Sequence, residues 1–503
     1  MLLINTATVK LMRFDDESLL PPYAVLSHTW GDSEVSFEQF NMLQNTLLES
    51  AKSRIQEGPG YEKIRLACRQ AFTDKLDYLW VDTCCIDKRS SAELSEAINS
   101  MFRWYKKAKV CYAYLDDVEG GALFTAKSLT TDEFGIPQDL WNPTPEATVA
   151  EVSIETELGR ARWFTRGWTL QELIAPFEVQ FYGKEWAYLG TKSSLSKILA
   201  SITGIDEKAL RGGNLEAFSI AHRMSWAANR VTTRTEDLAY SLLGIFDVNI
   251  PLLYGEGEKA FIRLQEEIMK DSSDESLFAW TPTPKSTTVE PMDPHRWRPV
   301  FASHPREFAS CMLAPLHQGS DDYALTNQGV KISIPVLPFE RRFWNSDWLS
   351  DDMTCFHTIL HQQSLFLVIL NCYFTSGRSL NHRVAIVCQR ISRGYQLVRH
   401  DTADVVPINE HEYKQARRLD VYLLKKMPAS VRTFNRRDSV SLQTALHDLE
   451  YALDNLSSPP PLFSEPKRKL TNDFLLAPRR ATNRNENELS VFKNSDSEEE
   501  NGT

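Results

Sequence analysis

The sequence predicts an α/β fold with a parallel sheet in its N-terminal region, then a helical segment and a β-rich C-terminal domain. Three observations carry this. Short, nearly continuous apolar runs, YAVL at 23–26, YLWV at 78–81 and VCYAYL at 110–115, are what strands covered on both faces look like. Amphipathic helical patterns separate them, and strand–helix alternation is the mark of a parallel sheet. From 290 to 440 the character changes to strand-like segments of an antiparallel β domain.

Taken in order, EKIRLACRQAF reads as a helix with Ile64, Cys68, Ala71 and Phe72 on one stripe. In SSAELSEAINSMFRWYKKA, Ser90 and Glu93 fit a capping box, and Leu94, Ile98, Met101, Phe102 and Tyr105 form the buried face. Residues 119–157, rich in Gly, Pro, Thr and acids, read as a surface insertion. RARWFTRGWTLQELIAPFEVQFYG reads as a helix stopped by Pro176, then a strand alternating Phe177, Val179 and Phe181. From 190 to 278 the pattern is helical, with Thr235 as an N-cap and Phe261, Leu264 and Ile268 in register. GVKISIPVLP, SLFLVILNCYF, RVAIVCQRI, GYQLVRHD and RLDVYLLKK follow as strands, and beyond 455 the chain lacks the apolar content to fold. The predicted divisions are 1–190, 191–285, 286–454 and a disordered tail at 455–503. No internal repeat is present.

At 503 residues and 42% hydrophobic content, the chain holds material for two or three domains. Its formal net charge of −11 gives no electrostatic grip on nucleic acid or an anionic membrane. The longest apolar run, SLFLVILNCYF, is about half of what a bilayer-spanning helix needs, and MLLINTATVK has no signal-peptide pattern. Eight cysteines without CxxC spacing fit a reducing compartment, the cytoplasm or nucleus. His357 and His361 beside Cys355 have helical ligand spacing, but the segment alternates like a strand and no second ligand pair is evident, so no metal is expected. YGEGEKAF at 254–261 matches GxGxxA in letters but follows no strand of a βαβ unit, so it reads as a turn into a helix. No P-loop occurs. PKRK at 466–469 reads as a solvated basic patch, with a nuclear signal as the other reading.

In a parallel sheet, ligands bind beyond the carboxyl ends of the strands. The residues there are Ser27, His28, Thr29, Trp30 and Gly31 after the first strand, Asp82, Thr83, Cys84, Cys85, Ile86 and Asp87 after the second, and Asp116 and Asp117 after the third. Each has a structural reading as well: Ser27 and His28 as turn caps, Trp30 as a cover for the sheet edge, Asp82 as an acceptor for loop amides. Ser27 and His28 do not make a triad, because adjacent strand residues point oppositely and no G-x-S-x-G elbow is present. No basic group is fixed beside Cys84 or Cys85 to make either a nucleophile.

Four blocks in order, YAVLSHTWG, YLWVDTCCIDK, SSAELSEAINSMFRWYKKAKVCYAYL and RARWFTRGWTLQELIAP, closely resemble the diagnostic blocks of the fungal heterokaryon incompatibility (HET) domain over residues 1–190. HRMSWAANRVTTRTEDLAYSLLGIFDVNIPLLYGEGEKAFIRLQEEI resembles the helical segment that follows that domain. The resemblance implies an effector of non-self recognition that arrests growth or kills fused cells, acting with itself, with an NLR-like protein or with another incompatibility protein.

The HET domain is in turn distantly similar to the Toll/interleukin-1 receptor (TIR) domain, which implies a flavodoxin-like sheet. WTLQEL at 168–173 is similar to the helix that carries the catalytic glutamate of NAD-cleaving TIR domains, with Glu172 in its place. NAD is then the implied substrate, no resident cofactor is needed, and the implied site is Ser27, His28, Asp82 and Glu172. Trp30 or Trp163 would stack on a ring, Arg162 or Arg166 would face the pyrophosphate, and Asp87 joins the substrate-binding candidates. SHTWGDSE differs from the usual TIR loop, and a long insertion precedes the glutamate. Two alternatives stand beside this: Glu172 as a solvated residue between core leucines, and the whole surface as a non-enzymatic docking module.

Overall fold

The structure of the chain, a computed structural model, describes residues 1–45, 49–120, 154–282, 297–315, 323–339, 365–375, 377, 379–391, 395–400 and 405–426. The core of the expected insertion, Cys355 with His357 and His361, the basic patch and the tail at 455–503 lie outside the described residues.

The first sheet contains β1 (Leu2–Asn5), β2 (Lys10–Arg13), β3 (Tyr23–His28), β4 (Tyr78–Val81), β5 (Val110–Tyr114), β6 (Val179–Tyr182) and β7 (Tyr188–Thr191). They run in the order β2-β1-β4-β3-β5-β6-β7. β3 pairs in parallel with β4 and β5, and β5 with β6, while β1, β2 and β7 add antiparallel edges. The sheet is therefore mixed and largely parallel. All residues of β3 are buried, which is why its sequence is apolar without alternation until Ser27.

Between β3 and β4 lie α1 (Phe37–Asn45), α2 (Glu49–Gln56) and α3 (Pro59–Thr73), and between β4 and β5 lies α4 (Ser91–Lys107). The chain steps from β3 to one side and then back across to the other. The strand order thus reverses beside β3, so the switch point where parallel sheets bind ligands falls at the carboxyl ends of β3 and β5.

Several local expectations change. The hydroxyl of Ser90 accepts the Glu93 N–H at 3.2 Å, but the Glu93 carboxylate pairs with Arg13 instead of closing the capping box. α4 buries Ala97 and Trp104 alongside Ile98, Met101 and Tyr105, whereas Leu94 and Phe102 are only half-buried. Phe72 and Phe177 are exposed, because the first lies beyond the strip of α3 that meets the sheet and the second precedes β6. The 162–174 stretch is not one helix. A 3-10 turn, Arg162–Thr165, gives way to a short helix, Thr169–Ile174, that ends just before Pro176.

Thr235 is not an N-cap, since the helix Asp237–Tyr240 starts from Glu236. The Glu236 carboxylate accepts the N–H groups of Gly255 and Gly257 at 2.7 and 2.9 Å. Both glycines have positive φ, so the GxGxxA letters build a nest for a carboxylate of the chain itself, leading into the helix Lys259–Asp271.

The C-terminal strands are β8 (Trp297–Arg298), β9 (Leu313–Pro315), β10 (Ala324–Leu325), β11 (Gly329–Pro338), β12 (Leu365–Phe374), β13 (Arg383–Arg390), β14 (Gln396–His400), β15 (Val406–Ile408) and β16 (Arg417–Leu424). β11 pairs with both β12 and β16, so β11-β12-β13-β14-β16 closes on itself. A closed ring with an odd number of strands cannot be antiparallel throughout, and β14 with β16 is its parallel seam. Closure removes free sheet edges. The preceding helical segment is tied to this layer. Gln265 exchanges two hydrogen bonds with the Ala302 backbone, Glu275 accepts the Asn371 N–H at 2.8 Å, and buried Arg399 donates to the carbonyls of Phe278 and Trp280. No helix among the described residues is long and apolar enough to cross a membrane.

Candidate functional site

Because side chains alternate along a strand, the end of β3 sends neighbouring residues to different sides of the sheet. Ser27 points toward the helix Thr169–Ile174. Its Oγ donates to Glu172 Oε2 and accepts the Trp163 indole N–H at 2.7 Å. Glu172 is only 5% exposed, which overturns its reading as a solvated glutamate. Burial, reinforced by the negative charge of Asp82, pushes its carboxyl up to about 8; the Ser27 hydrogen bond and the charges of Arg166 and Arg230 oppose this. Tyr105 and Cys111 face the same carboxyl, and burial followed by its charge raises both.

His28 points to the opposite wall. Its Nε2 lies 3.5 Å from Glu34 Oε2 and 3.9 Å from Asp82 Oδ1, without a hydrogen bond from either ring nitrogen. Glu34 also takes the Gly31 N–H at 2.7 Å and the Lys63 ammonium at 2.5 Å. Burial works against its ionisation, yet His28, Gly31 and Lys63 together hold it down to about 2.

The rim is laid over these two walls. Trp30 is 45% exposed, its N–H donates to Asp82 Oδ2 at 2.9 Å, and the Lys88 ammonium sits 3.7 Å from its ring centroid. Thr29 donates to Asp116 at 3.1 Å, and Arg162 bonds both Asp116 and Asp117, at 2.8 and 3.3 Å. Ser27, His28, Trp30, Asp82, Arg162 and Glu172 thus gather at one end of the sheet.

Three other candidates are placed differently. Trp163 is wholly buried, its ring packed edge-on to Phe164 and Phe181, so it supports Ser27 and offers no stacking face. Arg166 is half-buried, with its charge felt at Glu172. Asp87 is engaged by Arg89, which also reaches Glu38, away from these contacts. Cys84 and Cys85 are buried, and burial raises Cys84 well above the usual thiol range, consistent with packing and not nucleophilic attack. Among the described residues no group of three or more His, Cys, Asp or Glu is arranged to hold a metal ion.

Glu34, Lys63, Tyr105, Lys192 and Arg230 also belong to this region and were not among the site candidates read from the sequence, where Tyr105 figured only as a core position. Only Arg230 carried a signal, a cation near the end of a largely apolar stretch, MSWAANRV. Lys192 is buried and donates to the carbonyls of Leu173 and Pro176, closing the C-terminal end of the helix that bears Glu172.

Comparison with known proteins agrees with the N-terminal blocks and adds a second match. Residues 23–172 match the family described as heterokaryon incompatibility protein (HET). Residues 259–444 match a family described as a domain of unknown function, which spans from the helix Lys259–Asp271 through the strand ring. The vegetative incompatibility protein HET-E-1 of Podospora anserina is 48% identical over 255 residues, half of this chain and 16% of that protein. The chain therefore spans a small share of the relative's length. No solved structure matches the chain. With the four sequence blocks, the strand-end cluster they build and this family match in agreement, residues 23–172 form a heterokaryon incompatibility (HET) domain, similar to that of the vegetative incompatibility protein HET-E-1.

Proposed function

We propose that the chain is an effector of vegetative (heterokaryon) incompatibility that arrests growth or kills the cell after non-self recognition, and that it does so by cleaving NAD or a related nucleotide. The observation that carries the chemical side is the Ser27–Glu172 hydrogen bond, a carboxyl held near neutrality at the switch point of a parallel sheet. The order β4-β3-β5-β6 of the parallel strands supports reading the sheet as flavodoxin-like and TIR-like.

Nicotinamide leaves the ribose as a neutral base, taking the electron pair of the C–N bond, so no general acid is needed. In its ionised form, the minority species at neutral pH for a value of about 8 and the growing one as pH rises, Glu172 stabilises the oxocarbenium charge, water adds to the anomeric carbon, and the water's proton passes to solvent through the carboxylate. Trp30 supplies a stacking face and Arg162 a charge for the pyrophosphate. Since Glu172 is nearly sealed, self-association or an incompatibility partner opens the site. The free, buried cysteines among the described residues suit a reducing cytoplasm.

The test is nicotinamide release from NAD by the full chain clustered through a fused oligomerising tag, with Glu172→Gln alongside. Loss on the order of 10²–10³-fold in the variant is expected. A folded, clustered parent that releases no nicotinamide overturns the reading.

One observation favours a second reading, a docking surface without bond cleavage: Trp30 is exposed yet fixed by Asp82 and Lys88, as a rigid binding anchor is. In that case Trp30→Ala abolishes growth arrest in cells and Glu172→Gln does not.

A further inference from the structure

Arg230 lies outside the residues that match the HET family, yet it is among the most deeply buried charged groups described, 3% exposed. It follows the helix Ile220–Ser225 and turns back onto the 166–169 stretch. Its Nη1 donates to the Arg166 carbonyl at 2.8 Å and to Thr169 Oγ1 at 3.0 Å, and its Nε to the Trp226 carbonyl at 3.2 Å. The Thr169 hydroxyl in turn shares its one hydrogen between the carbonyls of Trp163 and Arg166. Trp163 in turn holds Ser27, and Ser27 holds Glu172.

The backbone repeats the attachment. Gly167 N–H donates to the Val231 carbonyl at 2.9 Å, and Val231 N–H to the Thr165 carbonyl at 2.7 Å. This approach is close enough that a Cβ on Gly167 would lie 2.4 Å from Thr232 Cγ2. The glycine of RGWTLQE is thus explained by the segment that follows the domain.

We propose that Arg230 is a positioning residue for Glu172, holding the turn that launches its helix and setting a compensating cation behind its carboxyl, so that the HET site is completed by the segment after the domain. The inference rests on the reading of Glu172 as the working carboxylate. The other groups facing Glu172 are Ser27 from β3, Asp82 beyond β4, Tyr105 from α4, Cys111 from β5 and Arg166 from the turn. Of these only Arg166 is cationic, and it is half-exposed to screening water where Arg230 is not. Burial pulls Arg230 down to about 9, still above neutral pH, so its charge persists there.

The experiment is titration of the Glu172 carboxyl in the full chain by isotope-edited infrared difference spectroscopy, using Glu172→Gln to identify its band. Arg230→Gln keeps amide donors for Arg166 and Thr169 but removes the charge. Its Glu172 midpoint is expected to rise by about one pH unit or more, and Arg230→Lys to restore most of the parent value. A folded Arg230→Gln chain that titrates like the parent overturns the proposal. If Arg230→Gln does not fold, adding Glu172→Gln restores folding at alkaline pH under the proposal, because the uncompensated carboxylate is gone; failure to restore it overturns the proposal. Nicotinamide release measured on the same samples separates the two ideas: a raised midpoint in a chain that never cleaves NAD leaves Arg230 as the partner of Glu172 and removes the hydrolase.

Discussion

The two sides of the sheet at the end of β3 hold carboxylates driven in opposite directions. Glu172, on the wall behind Ser27, is pushed up to about 8 by burial and by Asp82, while Glu34, on the wall behind His28, is held down to about 2 despite burial. The difference lies in hydrogen-bond donors. Glu172 takes its hydrogen bonding from hydroxyl groups, Ser27 foremost, and feels Arg166 and Arg230 only through their charge, whereas Glu34 takes an ammonium and a backbone N–H directly and faces an imidazole. When the surroundings drive the acids of one site to opposite extremes, each acid is suited to different work. Glu172 is the group able to change charge near neutral pH, and Glu34 is a fixed anion that orders the loop after β3.

The largest effect tests the first wall. A folded-state value raised from 4.5 to about 8 means that Glu172 contributes stability in full below about pH 4.5, and that this is lost as pH rises through 8. The parent should therefore weaken across that window, and Glu172→Gln should not. By pH 9 the variant should exceed the parent by on the order of 4 kcal/mol in chemical denaturation. Equal slopes would erase the contrast between the walls.

Glu34→Gln tests the second. Its lowered value makes Glu34 stabilising above pH 4.5, with that stability lost as pH falls toward 2. The variant should lose on the order of 3 kcal/mol at neutral pH and show a shallower acid transition. If it instead resembles Glu172→Gln, Lys63 and His28 do not define this wall.

Gly167→Ala sharpens the comparison by loosening only the Glu172 side. The new methyl must displace Thr232, at a cost of about 1–3 kcal/mol in thermal unfolding, with no change in the Glu34 acid transition. Smallest is Trp30→Ala at the exposed rim, expected to change stability by under about 1 kcal/mol, since the lost contacts are a surface hydrogen bond and a screened cation–π contact. Loss of activity or arrest without loss of fold would make Trp30 a contact for substrate or partner.

The parallel strands and the five long segments of the C-terminal ring were legible because burial on both faces writes continuous apolar runs and half-burial writes alternation. The carboxyl-end residues of β3 and β4 followed from those strands, and the HET family from the ordered blocks around them. Ring closure was not legible, because the β11–β12 pairing joins side chains whose local patterns would suit any antiparallel sheet. Nor was the burial of Glu172. In TLQELI the glutamate stands among apolar neighbours on a helix of six residues, too short to define a solvent face, and its covering comes from β3, Trp163 and Arg230, far away in sequence. Local patterning is set by which face of an element meets water, and the sequence alone determined that much: the strands, most helices, the family and the strand-end positions. The ionisation of Glu172 and Glu34, the role of Gly167 and the reach of Arg230 depend on long-range desolvation and on donors brought together by folding, and only the tertiary structure decided those.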